Sequence, residues 1–327
     1  MRTKVYISDS HDPRVNLALE EMLTRSCQED EYILYLWQND HTIVVGRNQN
    51  PHREVDLKKV EEDGVTLVRR PSGGGAVFHD LGNLNFTFIA HERHYDQDLN
   101  FGIILDALRA FGLEGKFSGR NDLLIEEKKF SGNAYSMHRG IRVHHGTLML
   151  DVDLTKMADY LKVNPLKMQA KGISSVRSRV VNLYDLAPEM TVDSLMEAII
   201  DSFEKKLGRA DVLVRLDKKD LVSEDYTDKY FTWQWNLGET PRFSLELEEK
   251  FDWGLISIFL DLNKGIIRKA GIYTDSLMDE DFSGLAEALE GMSLRREEVE
   301  PLIREKLKDS GLVEDLITWL NTKGIYS

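Results

Sequence analysis

The chain has 327 residues, 42% hydrophobic and 30% charged, with a formal net charge of -14 and one cysteine. That composition excludes a disordered or collagen-like chain, and the acidic balance excludes a general nucleic-acid binder, which needs a basic footprint. No run approaches the roughly 20 apolar residues of a membrane helix, and MRTKVYISDSHDP carries no apolar signal core; with lone Cys27 the expected setting is a reducing cytoplasm.

In chain order, Val5–Ile7 reads as a strand and Pro13–Cys27 as a helix, with Leu17, Leu19, Met22 and Leu23 at helical spacing. Tyr32–Trp37 and His41–Gly46 read as strands joined by the turn residues Gln38, Asn39 and Asp40, hence a hairpin. Asp56–Asp63 is helical, Val65–Arg69 and Leu84–Ile89 are strands, and Phe101–Phe111 is an amphipathic helix. Leu123–Ile125 and Phe130–Ala134 flank a charged turn, Glu126–Lys129, and Val143–Val152 is a long strand. Leu154–Tyr160, Met190–Lys206 and Leu216–Asp228 are mostly helical. The tail gives strands at Phe243–Phe251, Gly254–Leu262 and Ile266–Tyr273 with a hairpin turn at Asn263–Gly265, then helices at Gly284–Leu289, Arg296–Lys308 and Leu312–Leu320. At about 150 residues per domain the length suggests two. The breakers Gly238 and Pro241 divide an α/β body with a mixed, largely antiparallel sheet, residues 1–237, from a small α+β accessory domain, residues 242–327.

Four segments carry chemistry. In LVRRPSGGGAVFHDLGNLNF a strand ends in Arg69 and Arg70, followed by Ser72 and three glycines. Consecutive glycines suit a backbone that turns tightly or approaches a ligand, and exposed amides beside two guanidiniums suit a phosphate or carboxylate. The same run also reads as a hairpin bend with two solvated arginines, and spacing alone does not separate the two. Neither the G-x-x-x-x-G-K-[ST] nor the G-x-G-x-x-G pattern occurs there. In GRNDLLIEEKKFSGNAY, Asn121 and Asp122 offer oxygens to a hydrated Mg2+, and Lys129 offers a point charge to an oxyanion; a solvated turn is the plain alternative. In GIRVHHGTLML, His144 and His145 alternate on a strand and face opposite ways, and no zinc-ligand spacing accompanies them. KGISSVRSRVVNL adds Lys171, Arg177 and Arg179, either a second phosphate-facing segment or a basic loop. Cys27 has no activating neighbour in sequence and reads as a small apolar residue.

Taken together, these segments resemble in order and spacing the signatures of lipoate–protein ligases of the bacterial A type, over about residues 1–240. The tail resembles that family's C-terminal domain. The resemblance implies a fold related to biotin protein ligases and class II aminoacyl-tRNA synthetases, and a reaction in two steps. Lipoate and Mg-ATP give lipoyl-AMP and pyrophosphate; the lipoyl group then passes to a lysine of an apo lipoyl domain of a 2-oxoacid dehydrogenase complex or of the glycine-cleavage H protein. By the same resemblance Lys129 touches both carboxyl oxygen and phosphate, with Lys128 the register alternative. Gly75, Ala76, Val77 and Phe78 match the family's ATP-contacting stretch, where backbone groups approach the nucleotide; by their own chemistry Arg70 and Asn121 are expected at ATP or the adenylate, and Asp122 at Mg2+. Ser72 and His79 match positions near the acyl-adenylate. Leu17, Trp37, Val44 and His145 are candidates for the walls of a dry lipoate slot, with plain core packing as the alternative. A loop around Lys171–Arg179 and the tail domain are the expected shields of the adenylate, and the expected state is a monomer. An octanoyl or lipoyl transferase working through a cysteine thioester would have only Cys27, in the wrong segment. A non-catalytic lipoate-binding module would leave Arg70 and Lys129 without a task.

Overall fold

Two strands whose residues are buried on both faces, β2 (Glu31–Trp37) and β6 (Asn83–His91), lie side by side at the centre of the protein, as near-continuous apolar runs require. The computed structural model describes residues 1–119, 121–162, 180–237, 245–263 and 265–323. Gly238 and Pro241, the turn residue Lys264, and the run Lys171–Arg179 lie outside the described residues. The other strands are β1 (Arg2–Ser8), β3 (Thr42–Val45), β4 (Thr66–Arg69), β5 (Val77–His79), β7 (Lys116–Phe117), β8 (Asp122–Ile125), β9 (Lys128–His138), β10 (Ile141–Met149), β11 (Val212–Leu216), β12 (Leu245–Phe251), β13 (Gly254–Asn263) and β14 (Ile266–Thr274).

The main sheet has eight strands in the order β11-β1-β2-β6-β10-β9-β8-β7. Among the strands of this sheet in the described residues, β11/β1 and β1/β2 pair in parallel and the rest antiparallel, so the sheet is mixed and largely antiparallel. The parallel β1/β2 pair needs a crossover, supplied by helix α1 (Pro13–Ser26). Asp12 caps α1 by accepting the Arg14 amide at 2.9 Å, and Pro13 occupies its first turn. Helices α2 (Gln97–Arg109) and α3 (Val192–Leu207) cover one face, where Tyr32, Phe86, Phe88, Phe101, Ile104 and Phe203 form the larger core. On the opposite face α1 packs Val15, Leu17 and Leu19 against Ile33, Tyr35, Trp37 and Val143. A small sheet, β4-β3-β5, closes over that second face and contributes Val44 and Val68. The tail strands form a separate antiparallel sheet, β12-β13-β14, with its own core of Ile256, Ile258, Phe282, Leu285, Ile303 and Leu316.

Two expectations are corrected and a third holds in part. Tyr32–Trp37 and His41–Gly46 do not form a hairpin, because β2 and β3 belong to different sheets. Asn39 of the expected turn is fully buried and bound by Asn16 Nδ2 at 2.9 Å, and His41 takes a left-handed φ of 46°, so the segment hands the chain from one sheet to the other. Leu216–Asp228 is helical over about half its length, in a 3-10 turn at Lys218–Asp220 capped by Asp217 and a short helix at Asp225–Asp228, while its first residue ends β11, whose β-prone Val-Leu-Val takes up the free edge of β1. The strand expected to reach Val152 ends at Met149, beyond which Leu150 and Asp151 both donate to the Gly82 carbonyl at 2.9 Å.

Candidate active site

Between α1, the small sheet and the β9–β10 face lies a slot of about 150 Å3. Consecutive residues of two strands border it: Gly132, Asn133 and Ala134 of β9, and His145, Gly146 and Thr147 of β10. Of the expected wall residues, Leu17, Trp37, Val44 and His145 all line it. So do Arg70, Gly75, Ala76, Val77, His79, Asn121 and Lys129. Phe78, between Val77 and His79, points the other way, and its ring packs 5.5 Å from that of Tyr160. Ser72 and Asp122 stand behind the lining and reach the slot through His145 and Lys129 respectively.

The glycine-rich run is held from within. The two arginines are not solvated, as one reading of the sequence had them. Arg69 gives its Nη1 to the carbonyls of Gly46, Arg47 and Gln49 at 3.0, 2.9 and 2.8 Å. Arg70 donates through Nε to Ser72 Oγ at 3.0 Å and through Nη2 to the carbonyls of Gly73 and Gly75 at 2.7 and 2.8 Å. Burial pushes both guanidiniums down to about 10, which leaves them charged at neutral pH. Gly46 is required by close packing: a Cβ there would stand 2.2 Å from the Gly74 carbonyl oxygen. Gly74, at φ 91°, gives its amide to Ser276 O at 3.0 Å, so the tail docks on this loop. A second main-chain bond, Thr274 N to Asn48 O at 2.6 Å, reinforces the joint.

Ser72, His145 and Glu20 form a buried chain. Glu20 accepts from His145 Nδ1 at 2.9 Å and from Thr87 Oγ1 at 2.7 Å, and Trp37 Nε1 donates to Thr87 Oγ1 at 3.0 Å. With Nδ1–H committed to the carboxylate, His145 Nε2 accepts the Ser72 hydroxyl at 2.7 Å. The chain therefore links Arg70 at one end to Glu20 at the other, and it closes the slot beside Trp37.

Lys129 belongs to the same lining. Its Nζ is 2.7 Å from Asp122 Oδ1, and a Cβ on Gly132 would sit 2.7 Å from the same nitrogen. Lys128 is exposed and starts β9, because the charged turn has only two residues, Glu126 and Glu127, both left-handed at φ 49° and 61°. The expected four-residue turn is corrected accordingly. His79 is buried and pushed down to about 3, chiefly by burial and then by Arg70, so it is neutral. Asn39 Nδ2 lies 3.2 Å from His79 Nδ1, and among the described residues neither His79 Nε2 nor Asn85 Nδ2 has a hydrogen-bond partner; both residues line the slot. Asn85, Asn133, Gly132 and Thr147 escaped the sequence reading. Asn85 pairs across the sheet with Trp37 and with Thr147, a register that strand pairing alone reveals.

Among the described residues no group of three His, Cys, Asp or Glu side chains is placed to hold a metal ion. Among the described residues Asp122 Oδ1 is a buried oxygen with no hydrogen bond, paired in charge with Lys129. That suits a Mg2+ that arrives on a nucleotide and takes one or two carboxylates, rather than a resident metal. No helix among the described residues is long and apolar enough to cross a membrane.

Comparison with known proteins bears on this site. Residues 12–204 match the family model described as the lipoyl protein ligase A/B catalytic domain, and residues 240–319 match that of the bacterial lipoate protein ligase C-terminus. The crystal structure of P. falciparum LipL1 in complex with lipoate is 27% identical, with a TM-score of 0.84 over 97% of this chain and 99% of that one. A bipartite lipoate protein ligase from Thermoplasma acidophilum, described with its E2 lipoyl domain, is 30% identical, with a TM-score of 0.63 over 75% of this chain and all of that one (100%). A lipoate-protein ligase A bound with ATP is 28% identical, with a TM-score of 0.63 over 73% of this chain and 99% of that one.

Proposed function

The chain belongs to the lipoyl protein ligase A/B catalytic-domain family, and from that premise we propose that it is an AMP-forming lipoate–protein ligase, with residues 1–237 catalytic and 242–327 accessory. The observation that carries the reading is a slot that has Leu17, Trp37 and Val44 among its walls, and Lys129 and the backbone of Gly75 and Ala76 in the same lining. A hydrocarbon chain with a dithiolane fits the apolar part, as most small-molecule sites are largely apolar with few polar groups. The carboxylate then meets Lys129, which exchanges Asp122 for a substrate oxygen.

In the first step a carboxylate oxygen of lipoate attacks the α-phosphorus of ATP and pyrophosphate leaves. Both partners are anionic, so fixed positive charge must offset their repulsion. Lys129 and Arg70 supply it, and Asp122 would hold a Mg2+ brought with ATP, which would supply further positive charge to the phosphates. In the second step the ε-amine of an acceptor lysine attacks the acyl carbon and AMP leaves. The acceptors are apo lipoyl domains of 2-oxoacid dehydrogenase complexes and the glycine-cleavage H protein.

Lipoate-dependent exchange of pyrophosphate into ATP, with octanoate and biotin as comparators, tests the first step. The expected result is exchange with lipoate, abolished in Lys129→Ala while lipoate binding persists. Lack of exchange in the folded wild-type chain refutes the ligase reading.

A further inference from the structure

His144 faces away from the slot and takes no part in the chemistry above, yet it is fully buried and every ring nitrogen is engaged. Its ring lies between Phe101, 5.0 Å away, and Tyr135, 4.7 Å away, with Phe86 and Phe88 alongside. A polar ring in such a place needs both nitrogens satisfied, because an unpaired buried group costs its full desolvation. The donor pattern can be read from one end. Asn133 Nδ2 lies 3.0 Å from the Asn121 carbonyl, which only accepts, so the Asn133 amide is fixed with Oδ1 toward His144. His144 Nε2, 3.0 Å from that oxygen, must carry the proton. Its Nδ1 is then bare and accepts Asn100 Nδ2 at 3.3 Å. Asn100 Oδ1 in turn accepts the Tyr32 hydroxyl at 2.6 Å.

All four bonds therefore run one way, from Tyr32 on β2 through Asn100 on α2, His144 on β10 and Asn133 on β9 to the main chain of Asn121. Asn133 also gives its own amide to the Asn121 carbonyl at 2.9 Å. Gly146 makes room for the chain, since a Cβ there would stand 2.5 Å from Asn133 Oδ1 and 2.4 Å from Phe86 Cζ. Asn121 lines the slot and the next residue, Asp122, holds Lys129.

We propose that His144, as the neutral Nε2–H tautomer, is a positioning residue: through Asn133 it sets the main chain of Asn121 and so the placement of Asp122 and Lys129. The proposal rests on the ligase reading for its kinetic readout but not for its spectroscopic one. Ring-nitrogen NMR of the wild-type chain should show His144 protonated at Nε2 and bare at Nδ1 near neutral pH. In pyrophosphate exchange, His144→Phe should lower kcat about tenfold to a hundredfold, the scale of a catalytic group displaced by about an ångström. It should also raise KM for ATP while lipoate affinity stays unchanged. His144→Gln, which restores a donor toward Asn133, should recover most of the rate. A proton on Nδ1 overturns the relay whether or not any variant folds. His144→Phe with wild-type kinetics, or with equal losses in ATP and lipoate binding and no rescue by Gln, overturns the positioning role. Absence of exchange in the wild-type chain would refute the ligase reading instead, and the ring nitrogens would still decide the relay.

Discussion

Substituting Gly73 by alanine isolates the contact between the glycine-rich loop and the tail. Gly73 has no left-handed φ, so alanine is not strained by its own backbone. Its Cβ would, however, stand 2.3 Å from Ser276 O, a main-chain atom that no rotamer can move. Ordinary contact begins at 3.4 Å, so the tail must recede by about 1.1 Å (3.4 less 2.3). That stretches the 3.0 Å bond from Gly74 N to Ser276 O to about 4 Å, past any hydrogen-bond length. A lost hydrogen bond of this kind costs about 0.5–1.5 kcal/mol, and residual overpacking about 1 kcal/mol more. Docking should thus weaken by roughly 2 kcal/mol, about thirtyfold. Gly75 is the internal control, having open space around its Cβ and no left-handed φ. Amide hydrogen exchange reads the outcome directly at Gly74 and Thr274, whose N–H groups span the joint. Both should lose protection about thirtyfold in Gly73→Ala and keep it in Gly75→Ala. Unchanged protection in Gly73→Ala, or equal loss in the two variants, would refute the reasoning.

Gly132→Ala meets only the mobile end of Lys129, so stability should stay within about 0.5 kcal/mol of wild type while pyrophosphate exchange falls at least tenfold; parallel loss of both would place the strain in the backbone instead. Lys128→Ala should leave exchange intact, because that side chain is exposed at the start of β9, and a loss matching Lys129→Ala would move the role. Cys27 is buried and pushed up to about 11, chiefly by burial, so it offers no thiolate at neutral pH. Cys27→Ser should keep both adenylation and transfer; selective loss of transfer would restore a thioester route. His79 and His144 are both held at about 3 against an ordinary 6.5, chiefly by burial. The unfolded chain therefore binds protons that the fold refuses. Their stabilisation is complete above pH 6.5 and is lost as pH falls toward 3, by about 1.4 kcal/mol per pH unit for each histidine. Urea titrations at pH 7 and pH 5 measure it, and equal stabilities would contradict the burial of neutral rings.

Much of the fold was legible where local pattern and tertiary role agree. The helical spacing of Leu17, Leu19 and Leu23 and the apolar run of β2 speak for themselves, and both elements stand where the sequence puts them. Legibility fails where a segment's partner is remote. Gln38–Asp40 has turn chemistry, but whether the chain folds back or crosses to another sheet depends on Asn16 and His79, which grip Asn39 from elsewhere. β11 is invisible for the same reason, since it exists to cover an edge more than 200 residues upstream, as in Lys4 opposite Val212. At the site, the chemical segments were readable because glycines, arginines and a lysine are unusual in those settings. The sheet partners were not, because Asn85 and Thr147 look like ordinary strand residues until they stand opposite each other. Phe78 shows what alternation adds to a recognisable run: its ring turns out of the slot toward Tyr160, which leaves its backbone as the part that faces a ligand.

The tail is tethered to the loop through carbonyls and amides, at Gly74–Ser276 and Asn48–Thr274. Every residue but proline owns such atoms, so this joint carries almost no vocabulary of its own. Side chains on either surface can drift across a lineage without loosening it, and paired substitutions would leave little trace of the contact. What the joint does forbid is bulk: Gly73 faces a carbonyl with no room for a methyl. Its record in diverging sequences would therefore be a silence at one position rather than a covarying pair, and a search for coupled changes would pass over the seam that joins the two halves.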